Sequence, residues 1–326
     1  MRASSRRAGL TVVALAALTA AVAPLVAPHA TDVRFDRLLN APPTAMHLQD
    51  DRGAWHAPFI YPWRLVNQLE QRYEQDRSTR VPLAWFSGGR LAVSSDETRA
   101  PLLWLGTDSF GRDTLSRLLY GARISLIIGV VSTLAAMVIG TAIGMLAGWH
   151  GGRLDTVTMQ AMDVLLAFPS LILGLILVAM LGPSMLNIII AIALTSIPPF
   201  ARIARAPTIA VKEREFVDAG RALGYSDTRI LIVHILPNIL PEILVMGSLW
   251  LANAIRTEAS LAFVGLGVKP PIATWGGMIR EGFENILDSY WLALVPGAAI
   301  LIVIFALNLL GDGLRDAIDP KLKGEA

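Results

Sequence analysis

Apolar and polar positions divide this chain into long uncharged runs separated by charged segments. Residues 8–31 carry no charge between Arg7 and Asp32, and 124–149 carry none between Arg123 and Arg153. A third uncharged run, 164–201, is too long for one membrane crossing. Its 38 residues would reach roughly 57 Å as a helix, against a hydrocarbon core of about 30 Å. Gly182-Pro183-Ser184 supplies a turn in its middle, which predicts two helices, about 157–181 and 185–203. Residues 238–264 form a fifth stretch, interrupted by Arg256 and Glu258, and 289–311 a sixth between Asp288 and Asp312. The pattern predicts an all-α membrane protein with about six transmembrane helices.

Composition agrees with a lipid solvent. Of the 326 residues, 54% are hydrophobic and only 17% charged, where a soluble domain carries about 25%. Mean hydropathy is +0.53. The formal net charge of +2 is too small to point to nucleic acid. With no cysteine there is neither a disulfide framework nor a thiolate metal site. The histidines at 29, 47, 56, 150 and 234 are scattered, without metal-ligand spacing.

Basic residues orient the spans. Arg2, Arg6 and Arg7 precede the first, and 202–237 holds Arg202, Arg205, Lys212, Arg214, Arg221 and Arg229. The short loop 265–288 holds only Lys269 and Arg280. The positive-inside rule then puts both termini and 202–237 in the cytoplasm, with Arg315, Lys321 and Lys323 in the tail, and 32–120 outside. The basic start and Ala-rich core of 1–31 also suit a signal peptide. The apolar run is longer than a usual signal core, however, and Ala21-Val22-Ala23 is followed by Pro24, a poor cleavage context. A retained helix is preferred. The chain thus divides into an N-terminal helix (1–31), an extracytoplasmic segment with an interfacial helix (32–120), a membrane domain (121–314) with a cytoplasmic loop at 204–237, and a tail (315–326).

Within 32–120, LVNQLEQRYEQDR (65–77) predicts a helix with Leu65, Leu69 and Tyr73 on one face. The segment reads as a small lobe packed on the membrane domain, with an external docking surface as the alternative. Thr107 or Asp108 is positioned to cap an interfacial helix that feeds the second span. Gly140, Gly144 and Gly148 give that span a face for close helix approach. Asp163, near the cytoplasmic end of the third span, is assigned a structural role, with a transport role as the alternative.

The charged segment between the fourth and fifth stretches carries the sharpest signal. KEREFVDAGRALG predicts a helix over 212–224, with Phe216, Ala219, Gly220 and Leu223 on a compact face and Asp218 and Arg221 at its rim. Gly224 suits the left-handed position that ends a helix, and Ser226 can cap the next one, which runs to Pro237. By itself such a helix could also float at the lipid interface. Arg256 and Glu258 are intramembrane charges, each costing about 2.5–3.5 kcal/mol on insertion scales, and are possible functional residues.

The segment 215–237 resembles the "EAA" loop of ATP-binding-cassette importer permeases, with Asp218, Ala219, Gly220, Gly224, Leu236 and Pro237 at the motif positions. Asp218 stands for the usual Glu and Gly220 for the second Ala. LGTDSFGRDTLSRLLYGARISL (105–126), DVLLAFPSL (163–171), HILPNILP (234–241), EASLAFVGLGVKPP (258–271) and NLLGDGLRDAIDP (308–320) extend the likeness over roughly 102–320. The chain is identified as similar to the dipeptide/oligopeptide/nickel permease family. That resemblance implies a type I importer fold in the bacterial inner membrane, with transport by alternating access. It implies a second, homologous permease, two cytoplasmic ATPase subunits that bind ATP and Mg, and an external solute-binding protein. Coupling to the ATPase would fall on Phe216, Asp218, Ala219, Gly220, Arg221, Leu223 and Gly224. No cofactor is expected in this chain, which lacks the G-x-x-x-x-G-K-[ST] phosphate loop, and no enzymatic activity. Peptides are the expected cargo, with nickel or another small solute as the alternative. An ATP-independent channel or secondary transporter explains the spans but not the glycine-broken polar helix. A membrane-embedded enzyme would need a clustered His/Asp/Glu set.

Overall fold

The computed structural model describes residues 2–68 and 71–318, with side chains for 9–68 and 71–316. Leu69, Lys321 and Lys323, and the side chains of Arg2, Arg6 and Arg7, lie outside the described residues. Helix α1 (Arg2–Ala21) and the short α2 (Ala23–Val26), with Pro24 in its first turn, open the chain. Residues 47–94 then form strands: β1 (His47–Gln49), β2 (Trp55–Ile60), β3 (Trp63–Asn67), β4 (Arg72–Gln75), β5 (Val81–Trp85) and β6 (Ala92–Ser94). They make an antiparallel sheet of order β1-β2-β5-β6 and a separate β3-β4 hairpin.

The helix expected over 65–77 is therefore absent. Leu65 and Tyr73 do share a face, but as directly opposed residues of β3 and β4, where cross-strand packing replaces an i, i+8 stripe. The Tyr73 hydroxyl donates to the Leu39 carbonyl at 2.6 Å. The all-helical expectation holds for the membrane part, while this insertion is built on strands around Ile60, Val81, Leu83 and Leu102.

Helix α3 (Thr114–His150) runs 37 residues without a break, about 55 Å at 1.5 Å per residue. The expected interfacial helix and second span are thus one rod. Its cap is Asp113, whose carboxylate accepts the Ser116 N–H at 3.1 Å. Neither expected capper does this. Thr107 accepts from Ala41 N, and Asp108 accepts from the Phe110 and Arg112 backbone, so both shape the preceding loop.

Next come α4 (Gly152–Leu166) and α5 (Ser170–Leu181), which meet at an 87° bend. The single helix expected over 157–181 is broken at Phe168-Pro169. Proline offers no N–H to the ladder and disfavours helical backbone before it. The turn at Gly182 (φ 87) is where it was expected, and Ser184 caps α6 (Met185–Lys212) by accepting from Asn187 N at 3.2 Å. After α7 (Glu215–Ala222) and α8 (Asp227–Arg229), a wide π-helical turn at Ile230–Ile235 leads into α9 (Leu236–Leu261). A kinked turn at Ala262–Leu266, where Gly265 takes φ 99, then α10 (Trp275–Glu284) and α11 (Trp291–Ile318), complete the described chain.

Among the described residues, four helical stretches are long and apolar enough to cross a membrane: Thr114–His150, Met185–Lys212, Asp227–Leu266 and Trp291–Asp316. The bent α4–α5 pair makes a fifth if it is one span, and α1 contributes a shorter apolar stretch, Gly9–Ala21.

The chain folds as two compact units, one of residues 1–13, 127–261 and 302–326, the other of 14–126 and 262–301. In the first, α3 lies on α6 through its glycines. A Cβ at Gly140, Gly144 or Gly148 would stand 2.6, 2.1 or 2.9 Å from the carbonyl oxygen of Ile197, Ala201 or Arg205. Backbones approach this closely only where small residues line the seam. Phe200, Ala204, Ile230 and Ile239 fill the core beside it. In the second unit, buried Arg112 and Arg117 share Asp108 and Glu281. Arg112 meets them at 2.7 and 2.9 Å, and Arg117 meets Glu281 at 2.9 Å. Pairing of this kind is what makes a buried guanidinium tolerable.

Candidate functional site

The segment between α6 and α9 is built from caps. Helix α6 ends at Lys212, and Arg214 takes an extended backbone (φ −85°, ψ 142°) before α7 begins at Glu215. The helix expected over 212–224 is therefore shorter and starts after a break, which turns Val217 and Gly220 toward the protein. Glu215 and Asp218 lie in its first turn and Arg221 in its last, which matches the helix dipole. At its end Gly224 adopts φ 77. Gly224 N–H bonds to Arg221 O at 2.9 Å and Tyr225 N–H to Gly220 O at 3.0 Å, the paired bonds of a Schellman stop. Ser226 then caps α8, accepting from Arg229 N at 3.4 Å.

The two faces of α7 differ sharply. Val217 is buried in the core with Ile230 and Ile235. Gly220 is buried too, and a Cβ there would lie 3.3 Å from the Tyr225 ring. The opposite side presents Phe216, Ala219 and Leu223, the last 72% exposed. Of the expected compact face, the structure thus places Phe216, Ala219 and Leu223 outward and Gly220 inward. Asp218 and Arg221 pair at 3.2 Å on the exposed rim. Beside Phe216 opens a polar depression of about 890 Å³ lined by Val211, Glu213, Arg214, Glu215 and Asn238.

Residues without a motif signal hold this element in place. Trp149, buried at the end of α3, carries the Arg221 guanidinium 4.9 Å and the Lys212 ammonium 5.8 Å from its ring centroid. Tyr225 stacks on His234 at 5.8 Å with the rings 5° from parallel, and Arg229 lies 4.1 Å from the Tyr225 ring. Cation–π contacts contribute about 0.5–2 kcal/mol each depending on desolvation. Asp155 and Arg205 join α4 to α6 at 2.5 Å, and Asp163 pairs with Arg202.

The two charges singled out in the fifth stretch part company, and Glu242, earlier on the same helix, is exposed. Arg256 is exposed on α9 and donates to Asn253 Oδ1 at 2.5 Å. Glu258, two residues on, is fully buried. Neither lies in the α7 segment. Among the described residues no group of three or more His, Asp or Glu side chains is placed to hold a metal ion.

Residues 140–324, which contain α7 and both of its flanking helices, match the family of binding-protein-dependent transport system inner membrane components. The chain belongs to this family. It is 46% identical over 220 residues to the glutathione transport system permease protein GsiD of Pectobacterium atrosepticum, covering 68% of this chain and 73% of that one. It is 41% identical over 273 residues to the di/tripeptide transport system permease protein DppC of Pseudomonas aeruginosa, covering 84% and 85%. Among solved structures, the inward-facing MetNI methionine transporter aligns over 63% of this chain and 97% of its own with a TM-score of 0.52. At 18% identity that likeness concerns the fold, which is the type I importer permease fold. This family member is a multi-pass membrane subunit of a transport system and not an enzyme.

Proposed function

We propose that this chain is the permease subunit of an ATP-driven peptide importer in the bacterial inner membrane, and that α7 is its contact with the ATPase. The observation that carries the coupling reading is the division of α7. Phe216, Ala219 and Leu223 face outward, while Val217, Gly220 and the Arg221–Trp149 contact fix the helix to α3 and the core. A push on the outer face moves the helices rather than a loose loop. Asp218 and Arg221 frame the contact, and Gly224 sets its angle. The peptide cargo rests on relatives whose names specify glutathione and di/tripeptide transport. Nickel or another small solute is the alternative cargo.

The partners are a second homologous permease, two cytoplasmic ATPase subunits that bind ATP and Mg, and an external binding protein. Both termini and α7 face the cytoplasm, with 32–120 outside. Alternating access follows from ATPase closure acting through α7. The test is Asp218→Lys, made in the whole transporter. The variant inserts normally but loses ATPase co-purification and transport, normalised to membrane abundance. Wild-type transport by Asp218→Lys together with Leu223→Asp would sink the coupling assignment. Topology is checked separately in intact cells, where an impermeant thiol reagent labels Arg52→Cys and spares Ser226→Cys; the reverse pattern inverts the assignment.

A further inference from the structure

The hairpin that joins β5 to β6 is most apolar where it is most exposed. Phe86 is 79% exposed and Trp85 lies beside it, also exposed. Gly88 and Gly89 form an open turn in which a Cβ on either would meet no atom within 4 Å. Phe86 itself has φ 53, a left-handed backbone that costs a residue with a Cβ roughly 1–2 kcal/mol. Its ring faces away from the lobe, so packing inside the lobe does not offset that strain. A bulky residue held this way points to a contact outside the fold.

The position of the tip identifies the contact. Leu91 N donates to Leu25 O at 3.1 Å, and Arg90 Nη1 to Pro28 O at 2.5 Å. One residue on, His29 N donates to Ser116 Oγ at 3.0 Å, and the His29 ring lies 3.4 Å from Asp113, the cap of α3. The tip therefore sits beside both the chain leaving the N-terminal apolar helix and the head of membrane-crossing α3. Leu18 of α1 and Leu25 of α2 are also exposed, and Leu25 is the residue whose carbonyl Leu91 bonds.

We propose that Trp85, Phe86 and Leu91, with Leu25, form a membrane-surface anchor that seats the β insertion in the boundary between headgroups and acyl chains. Aromatic side chains concentrate at that depth because the ring is apolar and the indole N–H can stay wet. The inference rests on the membrane placement of α3 and not on the coupling role of α7. A protein partner, such as the external binding protein, is the competing occupant.

The absence of native cysteine makes Ser87→Cys a unique labelling site that leaves the aromatics intact. The full-length chain is labelled there with an environment-sensitive nitrobenzoxadiazole probe and placed in lipid nanodiscs that carry a doxyl quencher high on the acyl chain. Arg52→Cys is the reference. Its turn is tied by Asp50–Arg80 and Asp51–Arg77 to the residues before β5, at the opposite end of that strand from the tip. The probe at 87 is expected to be blue-shifted and quenched severalfold more than at 52. Adding Phe86→Asn and Trp85→Ser should lower quenching to the reference level, while Asn keeps the hairpin because it tolerates positive φ. Equal quenching at 87 and 52 would leave the tip in water for a protein partner and overturn the proposal. Quenching at 87 that survives both aromatic replacements would overturn it as well.

Discussion

Gly144 and Ala201 face each other so closely that a Cβ on the glycine would lie 2.1 Å from the alanine carbonyl oxygen. The obstacle is backbone, so no side chain can swing away to relieve it. Gly144→Ala is therefore expected to part α3 from α6, at an overpacking cost of about 1–3 kcal/mol. Its melting temperature in detergent and its membrane abundance should both fall. Gly297→Ala, on α11 with open space around the new Cβ, is the control and should gain slightly from helix propensity, by up to about 1 kcal/mol. Equal stability of the two variants would show that the glycine seam is not a contact.

Gly224 tests the coupling segment by backbone conformation alone. Its φ is +77 and a Cβ there meets no atom within 4 Å, so substitution is costly only through the positive φ. Gly224→Val should lose about 1–2 kcal/mol of preference for the turn, whereas Gly224→Asn should lose much less. The expected order of ATPase retention and normalised transport is wild type, then Asn, then Val. If Val transports like wild type, the angle of α7 does not matter to coupling.

The β1–β2 turn should respond to acid. Asp50 accepts a hydrogen bond from His56 and others from the Ala54 and Arg52 backbone, and its carboxyl is held at about 2, below the ordinary 3.8. A carboxyl whose folded pKa lies below its unfolded value adds stability above the unfolded pKa and loses it as pH falls through the folded one. The window is therefore pH about 4 down to about 2. Amide exchange in 50–54, corrected for its intrinsic pH dependence, should rise across that window. Asp50→Asn should exchange fast at neutral pH already and show no step; a step retained in Asp50→Asn would assign it to another group.

Sequence and structure agree at most positions where one residue type dictates backbone, the cap of α3 being the exception, since Asp113 holds it and neither Thr107 nor Asp108 does. Gly182 and Gly224 take the positive φ their turns require, Ser226 caps the helix after α7, and the glycines of α3 form a packing seam. Disagreement arises where one pattern has two geometric solutions. Leu65 and Tyr73 share a face either eight residues apart on a helix or opposite each other in a hairpin. The bend at Phe168-Pro169 is hidden because hydropathy stays high on both sides of it. The anchoring of Arg221 by Trp149 spans more than seventy positions, and the inward turn of Gly220 depends on Tyr225 and Ile230 folding back beside it, neither of which a helical periodicity records.

Glu258 is the most demanding residue of the membrane part. It is fully buried on α9, in a stretch apolar enough to cross the bilayer, whereas its near neighbour Arg256 reaches an exposed position. Ionisable residues inside membrane spans are costly and are kept where they face the protein interior or a wet cavity. Leucine would insert more easily and is close in volume, so a purely packing role predicts that Glu258→Leu is stable and active. A polar role predicts the opposite order. Glu258→Leu should then reach the membrane in normal amount yet transport severalfold more slowly, and Glu258→Gln, which keeps shape and hydrogen bonding, should fall between it and wild type. Arg256→Ala should be mild in both respects, because its head group is exposed and bonds only locally to Asn253. Transport per molecule, measured with the whole transporter in liposomes, separates the two roles. Wild-type transport by the Leu variant would make the carboxylate dispensable and leave packing as the role of position 258.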